Sequence, residues 1–235
     1  MNKKQLYSLT ITTGLLVIFI AFCFSFTGRT VKTSKSDVAS MPTIIIDPGH
    51  GGEDGGASVG EDILEKDINL AISLKLRDYL LLNGFDVIMT RDSDTAIYDK
   101  ELDGSKKRSD LNNRVELFNS SNNNIVVSIH QNKFVDSKYY GTQIFYSDNN
   151  DSNNLLAENI RNSVVSLLQP DNNRECKLTG SEIYILDNTT VPAVLVECGF
   201  LSNEAEAAML ITKEYQNKIA YTICLGIMEY YYTNY

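Results

Sequence analysis

From Thr43 onward the chain alternates two kinds of apolar pattern, and this alternation restricts its fold more than any other feature. Short runs rich in Ile and Val occur at Thr43–Asp47, Phe85–Thr90, Ile125–His130, Gly141–Tyr146, Glu182–Leu186 and Ala193–Glu197. Most are apolar at nearly every position, as strands covered on both faces of a sheet should be. Between them lie stretches of helical period. Leu64, Ile68, Ala71, Ile72, Leu76, Tyr79 and Leu80 recur at i+3/i+4 spacing and stop at Asn83-Gly84, a helix-ending pair. Ser109–Phe118, Leu155–Leu168 and Tyr215–Tyr232 read as three more helices, with a shorter one around Asn203–Leu210. Such alternation predicts one α/β domain, with a mostly parallel, twisted sheet of about six strands flanked by helices on both faces.

The N-terminal segment has a different character. Lys3 and Lys4 lead into an apolar stretch from Leu9 to Phe26. Its 18 residues, at ~1.5 Å each, make a helix of about 27 Å, close to a bilayer core. Residues 1–28 read as a signal peptide or an uncleaved signal anchor. Phe24, Phe26 and Arg29 flank the candidate cleavage bonds, and no A-x-A arrangement is present. The rest is expected on the outer side of the cytoplasmic membrane, secreted or held to the membrane by this segment. Residues 29–42 are polar and aperiodic and read as a linker, and 43–235 as the globular domain. With 21 Lys+Arg against 30 Asp+Glu the chain carries −9, which disfavours nucleic acid as a partner. The four cysteines, Cys23, Cys176, Cys198 and Cys224, are too scattered for a disulfide framework or a CxxC zinc site and read as free thiols.

In parallel sheets ligands bind beyond the carboxyl ends of the strands. The first run, Ile44-Ile45-Ile46-Asp47, enters Pro48-Gly49-His50-Gly51-Gly52; Ile125–Ile129 ends in His130; Val194–Val196 ends in Glu197. The chain has two histidines, and both fall at such ends. Two histidines with one carboxylate match a catalytic zinc site that keeps a position open for water. Glu65 opens the first long helix just after the glycine-rich turn. Glu61, Asp62 and Asp67 compete on spacing, and an acid at a helix N-terminus is also favoured by the helix dipole alone. Gly49–Gly56 is not a phosphate loop, because it lacks the Lys-Ser/Thr ending and carries Glu53 and Asp54. It reads as a tight turn allowing close backbone approach. Glu197, closing an apolar strand, is costly to bury unpaired. Facing activated water, it can take a proton and pass it to a leaving nitrogen. Cys198 as a nucleophile would need a histidine base and so dismantle the metal site; a buried thiol is the simpler reading.

These residues lie in segments that resemble the zinc-dependent N-acetylmuramoyl-L-alanine amidases of bacterial cell walls. The segments are IIIDPGHGGEDGGA (44–57), LEKDINLAISLKLRDYL (64–80), GFDVIMTRDSD (84–94), SDLNNRVELFN (109–119), VVSIHQN (126–132) and VPAVLVECGFLSN (191–203). They span the domain in the family's order. The resemblance implies one zinc ion held by His50, Glu65 and His130, which separates Glu65 from its neighbours, and Glu197 as catalytic acid/base. Arg114 and Asn132 match recurrent positions near the cleft and become candidate substrate or oxyanion contacts. The implied substrate is peptidoglycan, glycan strands bearing stem peptides, cut between the lactyl group of N-acetylmuramic acid and L-alanine. Residues 95–108 form a somewhat extended connection, and Tyr146–Ser181 leaves no room for the long inhibitory insertion of cell-division amidases. Control would then come from expression timing or an activating partner protein. A small amidase with only an N-terminal export segment is most similar to the germination-specific, spore-cortex branch, whose members strip stem peptides ahead of muramic-δ-lactam formation. Alternatives are a vegetative cell-wall amidase, a zinc peptidase or deacetylase, and a membrane-anchored peptidoglycan-binding protein without turnover.

Overall fold

The structure is a computed structural model that describes residues 41–99 and 105–234. The expected export segment, and the linker up to residue 40, lie outside the described residues. Among the described residues no helix is long and apolar enough to cross a membrane. In chain order the elements are β1 (Thr43–Pro48), a hairpin of β2 (Ser58–Val59) and β3 (Ile63–Leu64), α1 (Glu65–Leu82), β4 (Asp86–Met89), α2 (Lys106–Phe118), β5 (Asn124–Asn132), β6 (Gln143–Tyr146), α3 (Ser152–Leu167), β7 (Lys177–Leu178), α4 (Tyr184–Asp187), β8 (Ala193–Phe200), α5 (Glu204–Leu210) and α6 (Lys213–Asn234).

Six strands form one sheet in the order β4-β1-β5-β8-β6-β7. β4, β1, β5 and β8 run parallel, β6 lies antiparallel to β8, and β7 is parallel to β6. The α/β, mostly parallel reading holds. One predicted strand does not: Glu182–Leu186 contains the start of the one-turn helix α4, and the sixth strand is Lys177–Leu178. Ile185 and Leu186 are adjacent and both enter the same apolar cluster. A strand would send them to opposite faces, whereas a helical turn keeps them together. α2 also begins three residues before the predicted Ser109, because the Ser105 hydroxyl accepts from Arg108 N–H and caps it. α1 stops where predicted, with Gly84 at φ +86° after the Asn83 cap.

The period of two along each strand sorts the core into two unequal layers. Ile44, Ile46, Ile125, Val127, Ile129, Val194 and Val196 face a large cluster with Ile72, Leu76, Ile160, Ile223 and other residues of α1, α3, α5 and α6. Ile45, Val126, Ala193 and Leu195 face a small one, closed by Phe118, Ile185, Leu186 and Val191. Among the described residues, the helices that cover that second face are α2 and the short α4. Near its carboxyl end it is left open.

Candidate active site

The alternation that buries Ile45, Val126 and Leu195 on the thinly covered face directs Asp47, His130 and Glu197 to that face too, two or four residues further along. His130 and Glu197 are direct register partners on β5 and β8, so their backbones lie ~4.8 Å apart. A cleft of about 520 Å³ opens there, reaching His50 and His130 and walled by Tyr98, Leu111, Ile183 and Tyr184.

His50 arrives from the turn after β1. It has a left-handed φ of +63°, followed by Gly51 at +134° and Gly52 at +59°. A non-glycine residue held at such an angle stores strain that surrounding contacts must hold in place. Glu65 is the first residue of α1, and its N–H bonds the Ala57 carbonyl. One carboxylate oxygen accepts from Ala57 N–H at 2.7 Å, while the other lies 3.2 Å from His50 Nε2 and 3.0 Å from His130 Nδ1. Asn69 and the Gln131 N–H also donate to that second oxygen. The competing acids Glu61, Asp62 and Asp67 are exposed, whereas Glu65 is buried. The folded chain thus separates four carboxylates that spacing left open.

His50, Glu65 and His130 offer ligand atoms all within 4.8 Å of one another. Two imidazole nitrogens and a carboxylate oxygen are a donor set suited to zinc. The surroundings are shaped for them. A Cβ on Gly49 would stand 2.2 Å from the His130 ring, and one on Gly56 2.5 Å from a Glu65 oxygen. The other His50 nitrogen, Nδ1, bonds Asp54 at 2.9 Å, the kind of carboxylate contact that orients a ligating imidazole. Sequence reasoning missed Asp54 as a contributor, although its i+4 spacing from His50 was visible.

Charge coupling follows the geometry. Burial works against a charged His50, but Glu65 and Asp54 overcome it and raise its pKa to about 9. Burial would raise Glu65 too, but hydrogen bonds and charge from both histidines hold it far below the ordinary carboxylate range. Metal binding requires neutral imidazoles, so a cation at this cluster replaces bound protons. Glu197 goes the other way, pushed up to about 8 by burial and by the neighbouring Glu65 charge. Its Oε2 is buried and has no hydrogen-bond partner among the described residues.

The remaining candidates have other surroundings. The Arg114 guanidinium is buried and pairs with Asp47 and Asp110, and it donates to the Pro48 and His50 carbonyls. Its donors hold the His50 turn, and the residue also lines the cleft. Asn132 lies at the end of β5, beyond an irregularity in register between it and His130, and its carbonyl accepts from Leu201 N–H. It is not among the residues lining the cleft. Cys198 is buried, and its thiol is pushed up by burial and by Glu197, the reverse of an activated nucleophile.

Comparison with known proteins identifies the family. The family pattern described as N-acetylmuramoyl-L-alanine amidase matches residues 44–229. The chain is 37% identical over 231 residues to the germination-specific N-acetylmuramoyl-L-alanine amidase of Bacillus subtilis, covering 97% of this chain and 96% of that one. Among solved structures it is similar to the CwlD amidase of Clostridioides difficile in complex with the GerS lipoprotein, with TM-score 0.78 and 43% identity over 82% of this chain and 100% of that one. The catalytic domain of the CwlV amidase of Bacillus (Paenibacillus) polymyxa matches with TM-score 0.68 and 31% identity, over 81% of this chain and 98% of that one. By pattern, fold and relatives alike, the chain belongs to the N-acetylmuramoyl-L-alanine amidase family, the peptidoglycan amidases.

Proposed function

We propose that the chain cuts the amide between the lactyl group of N-acetylmuramic acid and L-alanine, with zinc held by His50, Glu65 and His130 and Glu197 as acid/base. The observation that carries this reading is the buried, unpartnered Oε2 of Glu197 on the same rim as the three-donor cluster. A non-catalytic peptidoglycan binder has no use for such a group. Zinc, when bound, supplies Lewis acidity to the amide carbonyl and lowers the pKa of water. The chain's residues do the rest. Glu197 takes a proton from water as its oxygen bonds to the carbonyl carbon. As the carbon–nitrogen bond breaks, Glu197 returns that proton to the L-alanine nitrogen, leaving a lactyl carboxylate and a free stem peptide. The Glu197 Oε2 is itself buried, and the cleft beside His50 and His130 has apolar walls, Leu111 and Ile183 among them, for the substrate to pack against.

The Bacillus subtilis relative is named germination-specific, which supports a role in the spore cortex, with the N-terminal segment directing export. The Clostridioides difficile relative was solved with a lipoprotein, which supports control by a partner protein. Mass spectrometry of peptidoglycan treated with the full chain, with and without zinc, tests the chemistry. Zinc-dependent release of intact stem peptides supports it; cleavage within the stem would indicate a peptidase instead. Spores made without the protein should lack muramic-δ-lactam, and normal cortex would place the enzyme in the vegetative wall.

A further inference from the structure

Arg91 lies just beyond β4, in the segment GFDVIMTRDSD, and nothing in the proposed chemistry uses it. It is buried, at 4% exposure, and forms no ion pair among the described residues. A guanidinium in such a place is costly unless its donors are satisfied. Every donor it uses goes to a backbone carbonyl. Nε reaches Pro48 at 3.0 Å, Nη1 reaches Ser93 at 3.1 Å, and Nη2 reaches Gly49 at 3.0 Å and Lys66 at 2.8 Å.

The acceptors define what the side chain does. Pro48 and Gly49 immediately precede His50, and Lys66 immediately follows Glu65. One planar group therefore joins the turn carrying the first candidate ligand to the helix carrying the second. The left-handed angles at His50, Gly51 and Gly52 bend the chain out of β1 into a tight turn closed by the Gly51–Asp54 pairing. The Pro48, Gly49 and His50 carbonyls accept from side-chain donors, Asn69 on α1 giving Gly49 a second one. Arg114 also serves the turn, at Pro48 and His50, but does not reach α1. Gly51 is fitted to Arg91 as well, since a Cβ there would stand 2.9 Å from Arg91 Cδ and Nε.

We propose that Arg91 is a positioning residue for the metal centre, setting the separation of His50 and Glu65 by gripping the turn and α1 with one guanidinium. The inference rests on the zinc reading above. Arg91→Lys keeps the charge but loses the planar fork that bridges two carbonyls, and Arg91→Gln removes the charge as well. In both, zinc affinity of the full chain, measured by competition with a chromophoric chelator, should fall by about 10- to 100-fold, the scale of lost support around metal ligands. Gly226→Ala is the control. A Cβ there would sit 2.4 Å from the Ile160 backbone between α6 and α3, so it should lower the melting temperature and leave zinc affinity unchanged. A second readout needs no variant: in the wild-type chain the NMR signal of Arg91 Nε–H should move on zinc addition, while that of Arg161 on α3 should not. Wild-type zinc affinity in both Arg91 variants, or a loss no greater than in Gly226→Ala, would overturn the proposal, as would an unmoved Arg91 signal. A wild-type chain that binds no zinc would instead bring down the metal reading, and this inference with it.

Discussion

At the scale of single residues, the site is a set of groups held in states they would not adopt in water. Glu197 is raised to about 8 by burial and by Glu65, so without a cation nearby it carries its proton at neutral pH. A positive charge in the His50–Glu65–His130 cluster opposes the Glu65 charge and favours the carboxylate needed to accept a proton. Activity should therefore rise with pH through an acid limb, as Glu197 loses its proton, at a value below 8. Glu197→Gln should lose about 10²–10⁴-fold in turnover, the usual worth of a positioned acid/base, while chelator competition shows zinc still bound. Asp54→Asn tests the contact to His50 Nδ1: zinc affinity should fall by about tenfold or more with the fold unchanged by circular dichroism. His50, His130 and Glu197 were legible because they end apolar strands in a chain with two histidines. Glu65 stood out as the acid that opens the first long helix, and the family motif separated it from Glu61, Asp62 and Asp67; only the folded turn buries it and leaves those three exposed. Arg91 was not legible as a contributor, because its partners lie on the turn after β1 and on α1 and no period of the sequence marks those contacts. Asp54 stood in view four residues after His50, but nothing in the sequence sets the fold of the turn that brings them together.

At the scale of elements, the turn after β1 and the N-terminus of α1 form one piece of machinery built around absent side chains. Gly56 has φ +67°, and its missing Cβ leaves space for Glu65 and His50. Gly56→Ala should abolish tight zinc binding at room temperature and lower the melting temperature as well, because the conformation is strained whatever space is found. A scan with and without zinc would then show no metal-induced rise. α2 offers a milder test. Ser105→Ala removes its N-cap, and urea unfolding should show a loss of ~1 kcal/mol. Elements with a long, clean period were readable in the sequence: α1, α3, α6 and the strands β1, β5 and β8. The failures were short. Glu182–Leu186 has too few residues for period to separate strand from helix, and the two-residue strands β2, β3 and β7 carry no pattern at all. Partners set them, β7 by pairing with β6 and β2 with β3.

At the scale of the whole molecule, most of the apolar core lies on one side of the sheet and the cleft opens on the other, where the buried pair Asp47–Arg114 also lies. Burial would raise Asp47, but Arg114, Ser128 and Thr90 hold it below the ordinary carboxylate range. A depressed carboxylate contributes fully above its unfolded value of ~3.9 and loses that contribution as pH falls through the folded one. Wild-type stability should therefore decline on acidification below about pH 4. Asp47→Asn should flatten that limb and lower stability at neutral pH, since Arg114 then keeps Asp110 alone as its carboxylate partner; urea unfolding across pH measures both. The thick layer of α1, α3, α5 and α6 holds most of the apolar core, while the opposite face is closed by two helices and loops. The molecule is accordingly exchangeable on one side. Exchanging wall side chains such as Tyr98 and Tyr184 would change what the cleft accepts, while the adjacent Ile185 and Leu186 stay as they are to keep the second layer closed.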